Sequence, residues 1–121
     1  MGVQILNAEA GLMTIRLTGK LSYPELAEAH KEAAAILSAQ GKMRVLVVAD
    51  AFTGWEREGD WGNLSFQNEN DRYISRIALV GDKQWETLAL LFAGQGVRSV
   101  PVAFFDLGEL AKARLWLASE T

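Results

Sequence analysis

The sequence predicts a single-domain α/β fold: a mixed sheet of about five strands, opening with an antiparallel hairpin, with about four helices on its faces. Three observations predict it. Short runs rich in Val, Ile and Leu recur at Val3–Asn7, Leu12–Thr18, Met43–Ala49, Ser75–Val80 and Val97–Phe105. Segments with helical apolar spacing separate the later runs, and such alternation implies right-handed crossovers and a largely parallel sheet. The chain has 121 residues, half of them hydrophobic, which supports one core but not two.

Each element follows from local chemistry. Met13, Ile15 and Leu17 alternate with Thr14, Arg16 and Thr18, the period of a strand with one wet face. With Val3–Asn7 this strand forms the hairpin. Ser22-Tyr23-Pro24-Glu25 is a capping box with proline in the first turn, where its missing N–H costs nothing. Leu26, Ala29, Ala33 and Leu37 then recur at helical spacing until Gln40-Gly41, glycine suiting a helix end. Met43–Ala49 is the most apolar run and reads as a central strand covered on both faces. A helix is expected from about Asp60 to Tyr73, although Asn63, Asn68 and Asn70 are poor helix formers. Asp82 caps a helix that carries Trp85, Leu88, Ala89 and Phe92 on one stripe. Asp106 and Glu109 open the last helix, with Leu110, Ala113 and Leu117 on its apolar side.

Composition excludes several classes of function. The net charge of −3 argues against a nucleic-acid partner, which needs a concentrated basic surface. No apolar run approaches the roughly 20 residues that span a bilayer. The start, Met1-Gly2-Val3-Gln4, lacks the basic and apolar regions of a signal peptide. Cysteine is absent, which removes disulfides and thiol catalysis and favours a cytoplasmic location.

The catalytic inventory is thin, and no enzymatic activity, metal or cofactor is expected. His30, the only histidine, sits on the apolar side of its helix and reads as a packed residue, since a zinc site needs three or four ligands. No serine occupies a Gly-x-Ser-x-Gly elbow. Gly94-Gln95-Gly96 follows a helix and precedes a strand, the wrong order for a phosphate cradle. Glu56, Glu58 and Asp60 read as an acid-rich helix start rather than a catalytic pair. Asp50 ends the central strand, at the edge where open α/β sheets place ligands. Trp85 and Trp116 read as core residues. Trp55 and Trp61, with Phe52 and Gly54 nearby, flank a poorly patterned loop that suits a pocket or partner surface.

Several motifs together resemble the SpoIIAA-like branch of the STAS domains. They are Val47-Val48-Ala49-Asp50 followed by Phe52-Thr53-Gly54-Trp55, the block Arg76-Ile77-Ala78-Leu79-Val80-Gly81-Asp82-Lys83-Gln84-Trp85, the strand end Phe104-Phe105-Asp106, and Ala113-Arg114-Leu115-Trp116-Leu117. The resemblance spans about 110 residues and implies a STAS-like mixed sheet with helices on its faces. Anti-anti-sigma factors carry Asp-Ser-x-Gly at the central strand end, with the serine phosphorylated by a partner kinase. Aligned on Asp50, this chain has Ala51 there, and Thr53 is displaced by two positions and reads as a structural loop residue.

The resemblance therefore implies a non-enzymatic interaction or regulatory module lacking that serine. The alternative is a carrier of a small apolar, lipid-like ligand in a Sec14-like pocket, a fold-level analogy. The expected ligand or partner site comprises Asp50, Phe52, Thr53, Gly54, Trp55, Trp61 and Phe66. Phe52, Trp55, Trp61 and Phe66 also predict self-association: left exposed, they would form a patch unusual on a monomer, and a twofold dimer would bury it.

Overall fold

The computed structural model describes residues 2–59, 65–96 and 98–119. Strands β1 (Val3–Glu9) and β2 (Leu12–Leu21) form the antiparallel hairpin. Ala10 and Gly11 both have positive φ, as a two-residue turn that matches strand twist requires. Helix α1 (Tyr23–Gln40) starts on Ser22, whose side chain accepts from the Glu25 N–H, and ends on Gly41 at φ +82°. Strand β3 (Met43–Trp55), helix α2 (Ser65–Asn70), strand β4 (Ile74–Gly81), helix α3 (Glu86–Phe92), strand β5 (Val102–Asp106) and helix α4 (Leu110–Ala118) complete the chain. The sheet order is β1-β2-β3-β4-β5, parallel from β2 onward. No helix among the described residues is long and apolar enough to cross a membrane.

Four expectations need correction. The central strand continues six residues beyond Ala49, to Trp55. It pairs with β4 only as far as Ala49 opposite Gly81, and from there with Thr18–Leu21 of β2. Phe52-Thr53-Gly54-Trp55 is thus strand rather than loop. The helix expected from Asp60 to Tyr73 ends differently: α2 covers Ser65–Asn70 and gives way to a 3-10 turn over Asp71–Tyr73, while residues 60–64 lie outside the described residues. Strand β5 starts at Val102, after Pro101, which has no N–H to give a ladder. Finally, the β2 face expected to be wet is covered at Thr14, which is buried, and opens to solvent only farther along, at Arg16.

Two packed layers flank the sheet. On one face, Leu46, Ala78 and Val80 pack against Ala113 and Leu117 of α4. Arg44 and Arg76 reach from β3 and β4 to the end of α4, donating to the carbonyls of Leu117 and Trp116. Arg76 also donates to Ser119 Oγ at 2.8 Å and stacks over the Trp116 ring. A helix C-terminus leaves carbonyls unpaired and partly negative, so two guanidinium groups there fix α4 on the sheet. On the other face, Met13, Val45 and Ile77 pack with Ala33 and Leu37 of α1. That layer is incompletely filled, and the site lies within it.

Candidate functional site

A cavity of about 620 Å³ lies between the sheet and helices α1, α2 and α3. The strands provide its floor through Ile15, Leu17, Val47 and Leu79; Leu26 and His30 come from α1 and Phe92 from α3. Small residues explain why the space exists. Where helix meets sheet the chain places Ala29, Ala33, Ala49, Gly81, Ala89 and Ala93, all on the cavity wall. Side chains this short leave volume between backbones that cannot approach further, and native cores otherwise show few voids larger than a water.

The aromatic end is built by β3. Its register against β2 slips twice, between the pairs Arg16–Val48 and Thr18–Ala51 and again between Gly19–Phe52 and Lys20–Gly54. Each slip inserts one extra residue in β3, and a bulge of this kind re-aims the side chains that follow. Ala49, Phe52 and Trp55, three apart, consequently all line the cavity, which strict alternation would forbid. Trp85, from the 3-10 turn Lys83–Trp85 that precedes α3, closes the cluster. Ring centroids lie 4.8 Å apart for Phe52–Trp55, 5.4 Å for Phe52–Trp85 and 6.0 Å for Trp55–Trp85, all edge-to-face. Gly54 permits the approach: at φ +122°, its Cβ position lies only 3.3 Å from Trp85 Cη2.

Polar groups around the cavity are few. His30 stacks on Phe66 with centroids 4.1 Å apart. Burial, aided by the charge of Arg98, pushes its pKa down to about 4, so the ring is neutral at pH 7. The Arg98 guanidinium is committed to Asp71 through Nε and Nη2 and to the Ala93 carbonyl through Nη1. The indole Nε1 atoms of Trp55 and Trp85 are both buried with no hydrogen-bond partner. No group of three or more His, Asp or Glu side chains among the described residues could hold a metal.

The expected site residues therefore divide. Phe52, Trp55 and Phe66 line the cavity, and Gly54 backs it. Asp50 does not line the cavity. Arg16, which alternates with the cavity residues Ile15 and Leu17, forms a two-pronged 2.9 Å pair with Asp50 on the opposite face. That pairing holds the Asp50 carboxyl below the usual carboxylate range. Ala51 and Thr53 are exposed, and Trp61 and Asp60 lie outside the described residues. Trp116 is partly buried, packed under Arg76 against the α4-side core rather than within it, whereas Trp85 is cavity wall. Of the four aromatic residues expected to form an exposed patch for self-association, Phe52 is only 8% exposed. Composition concealed Leu17, Val47, Leu79 and Phe104, which read as core, and the alanines at helix–sheet contacts were the available signal.

The family model described as SpoIIAA-like matches residues 12–118. Among solved structures, an uncharacterised protein of the DUF3478 family with a SpoIIAA-like fold, from Shewanella loihica PV-4, superposes with a TM-score of 0.71. The two sequences are 16% identical over 96% of this chain and 92% of that one, a likeness of fold. No curated protein matches.

Proposed function

The chain belongs to the SpoIIAA-like family, and from that premise we propose that it is a non-enzymatic binding module enclosing one small apolar molecule between its sheet and helices α1 to α3. The observation that carries this reading is the cavity, whose 620 Å³ falls within the roughly 300–1,000 Å³ of small-ligand sites. Its wall is mostly hydrocarbon and aromatic. Catalysis has little support in that wall: His30 is neutral and lies flat against Phe66, and the described residues lining the cavity include no Ser, Thr or Lys for it to activate. Ala51 carries no hydroxyl for a phosphoryl switch, so regulation by occupancy replaces regulation by phosphate in this reading. A cytoplasmic site of action rests on the cysteine-free sequence.

Native mass spectrometry of the purified protein, paired with thermal unfolding in the presence of nonane, tests the reading. Saturating a site to about 100 times Kd stabilises by about 2.7 kcal/mol, a clear rise in Tm. Unchanged Tm with nonane and no co-purified adduct would refute it. A protein-contact role is the second reading, favoured by Leu88 and Leu91, which are 50% and 75% exposed at the cavity margin on α3. Light scattering at micromolar concentration on wild type and Leu91→Glu tests whether copies of the chain meet there; a monomeric wild type counts against it.

A further inference from the structure

Besides the two tryptophans, whose indole nitrogens are buried, the polar residues on the described cavity wall are Tyr23, His30, Glu56, Gln67 and Arg98. They fall in two places. Tyr23 and Glu56 belong to the aromatic end, since Leu21 pairs with Trp55 and its carbonyl accepts from the Glu56 N–H. His30, Gln67 and Arg98 meet at the α2 end. His30 stacks on Phe66, and Gln67 is the next residue of α2. A Cβ built on Gly94 would lie 3.4 Å from the Gln67 carboxamide and 3.3 Å from Arg98 Cδ.

Hydrogen bonding separates these groups further. Tyr23 and Glu56 are each engaged within the protein. Arg98 donates to Asp71 and to the Ala93 carbonyl. The ring nitrogens of His30 and the carboxamide of Gln67 have no hydrogen-bond partner among the described residues. They are also absent from the unpaired polar atoms sealed away from solvent, which are the two indole nitrogens alone. Both side chains therefore keep accessible polar surface on a wall that is mostly hydrocarbon.

Charge decides what suits them. Asp71 answers the Arg98 charge, and burial keeps His30 neutral at pH 7. An anionic head group would lose its hydration without gaining a free counter-charge. A neutral imidazole offers one N–H and one acceptor nitrogen, and a carboxamide likewise offers both kinds. A head group that only accepts would leave the acceptors on the wall unpaired.

We infer that the occupant is an uncharged, mostly hydrocarbon molecule whose head group both donates and accepts hydrogen bonds, a hydroxyl or primary amide, and that His30 and Gln67 hold this group at the α2 end. The inference rests on the ligand-binding reading above and adds the head group of the ligand and the residues that recognise it.

The test uses nonane, 2-nonanone, 1-nonanol and nonanoate at pH 7.5, with affinities from equilibrium partitioning. His30→Phe keeps the stack on Phe66 and Gln67→Met keeps the side-chain length, while each removes the hydrogen-bonding atoms. The double substitution is expected to weaken 1-nonanol about tenfold, equivalent to about 1.4 kcal/mol, and nonane less than about threefold, with 2-nonanone between them. Nonanoate is expected to bind wild type more weakly than 1-nonanol. Because His30 is the only histidine, its ring gives a single pair of ¹⁵N signals. The unprotonated ring nitrogen should lie farther upfield in the 1-nonanol complex than in the nonane complex. Equal weakening of 1-nonanol and nonane, identical ring signals in the two complexes, or tighter binding of nonanoate would each overturn the inference. Selective loss of 1-nonanol in Tyr23→Phe would place the head group at the aromatic end and overturn it as well. In those cases nonane binding to wild type leaves the cavity reading standing; failure of every probe removes both. The ring spectra need no variant, so a substitution that unfolds the protein does not protect the proposal.

Discussion

Replacing Ala29 with leucine separates a binding cavity from a packing defect, because the two consequences have opposite signs. Ala29 lies on α1 and its side chain lines the cavity. Leucine adds three carbons, worth about 0.8 kcal/mol each when taken from water, or about 2.4 kcal/mol together. Fixing its rotamers returns about 0.5–1 kcal/mol. The net gain is about 1.5 kcal/mol for the unliganded protein, because the added group enters existing space and displaces no packed atom. For a domain of this size, that raises Tm by about 5 °C. The same side chain takes volume from the ligand, so affinity for 2-nonanone should fall about tenfold or more. Calorimetric unfolding of wild type and Ala29→Leu, without ligand and with 2-nonanone, reads both effects. A lowered Tm with binding retained would refute the reasoning: leucine would then be overpacking a filled site, which costs about 1–3 kcal/mol.

The other predictions use single residues with defined partners. His30 has a folded pKa of about 4, below its unfolded value near 6.5. The folded state therefore binds fewer protons between these values, and the contribution to stability is intact above pH 6.5 and lost as pH falls toward 4. His30→Phe keeps the stack on Phe66 and should reduce the drop in denaturant midpoint between pH 7 and pH 4.5; an unchanged drop would show that burial does not control this ring. Gly54→Ala puts a methyl 3.3 Å from Trp85 at a positive φ, so about 1–3 kcal/mol of stability and the Trp85 fluorescence maximum should both change, and an unaltered spectrum contradicts the packing. Arg76→Met removes the donor to Trp116 and Ser119 under α4 and should cost about 2–3 kcal/mol in urea titrations; a neutral result would mean that α4 docks without it. Asp50→Asn breaks only the exposed pair with Arg16, so 2-nonanone affinity should stay at the wild-type value, and a loss would return Asp50 to the site.

The elements that the sequence made legible are those whose signals are local. Ser22 and Glu25 start α1, Asp106 and Glu109 form a complete capping box before α4, and the hairpin turns where glycine follows Ala10. Each depends on residues within a few positions of one another. The length of β3 was hidden because it depends on a non-local pairing. Ala49 stops meeting β4 at Gly81, yet β2 supplies Thr18–Leu21 to carry the strand on to Trp55. Period-two reasoning also fails across the two register slips, so Asp50 and Phe52 looked like neighbours in one loop although they serve opposite faces. That Phe52, Trp55 and Phe66 come together on one surface was legible, but their exposure was not. Sequence shows that aromatics are close in the chain; whether helices fold over them depends on the alanines that set helix–sheet spacing.

Those alanines and the two slips act together. A chain optimised only for packing would place larger side chains at Ala29, Ala33, Ala49, Ala89 and Ala93, and would keep Trp55 out of line with Phe52. Instead the small residues open the space and the slips bring Ala49, Phe52 and Trp55, three apart on β3, to line it together. Gly54 then lets Trp85 close over them, and the indole Nε1 atoms of Trp55 and Trp85 are left buried without a hydrogen-bond partner. Each feature costs stability on its own, whether as a void, an interrupted ladder, a positive φ or an unpaired donor. They converge on one cavity, while on the α4 face of the same sheet Leu46, Ala78 and Val80 pack against Ala113 and Leu117, and Arg44 and Arg76 are paired with helix carbonyls. In the ligand-binding reading proposed above, a molecule held on that face would recover the cost of these features.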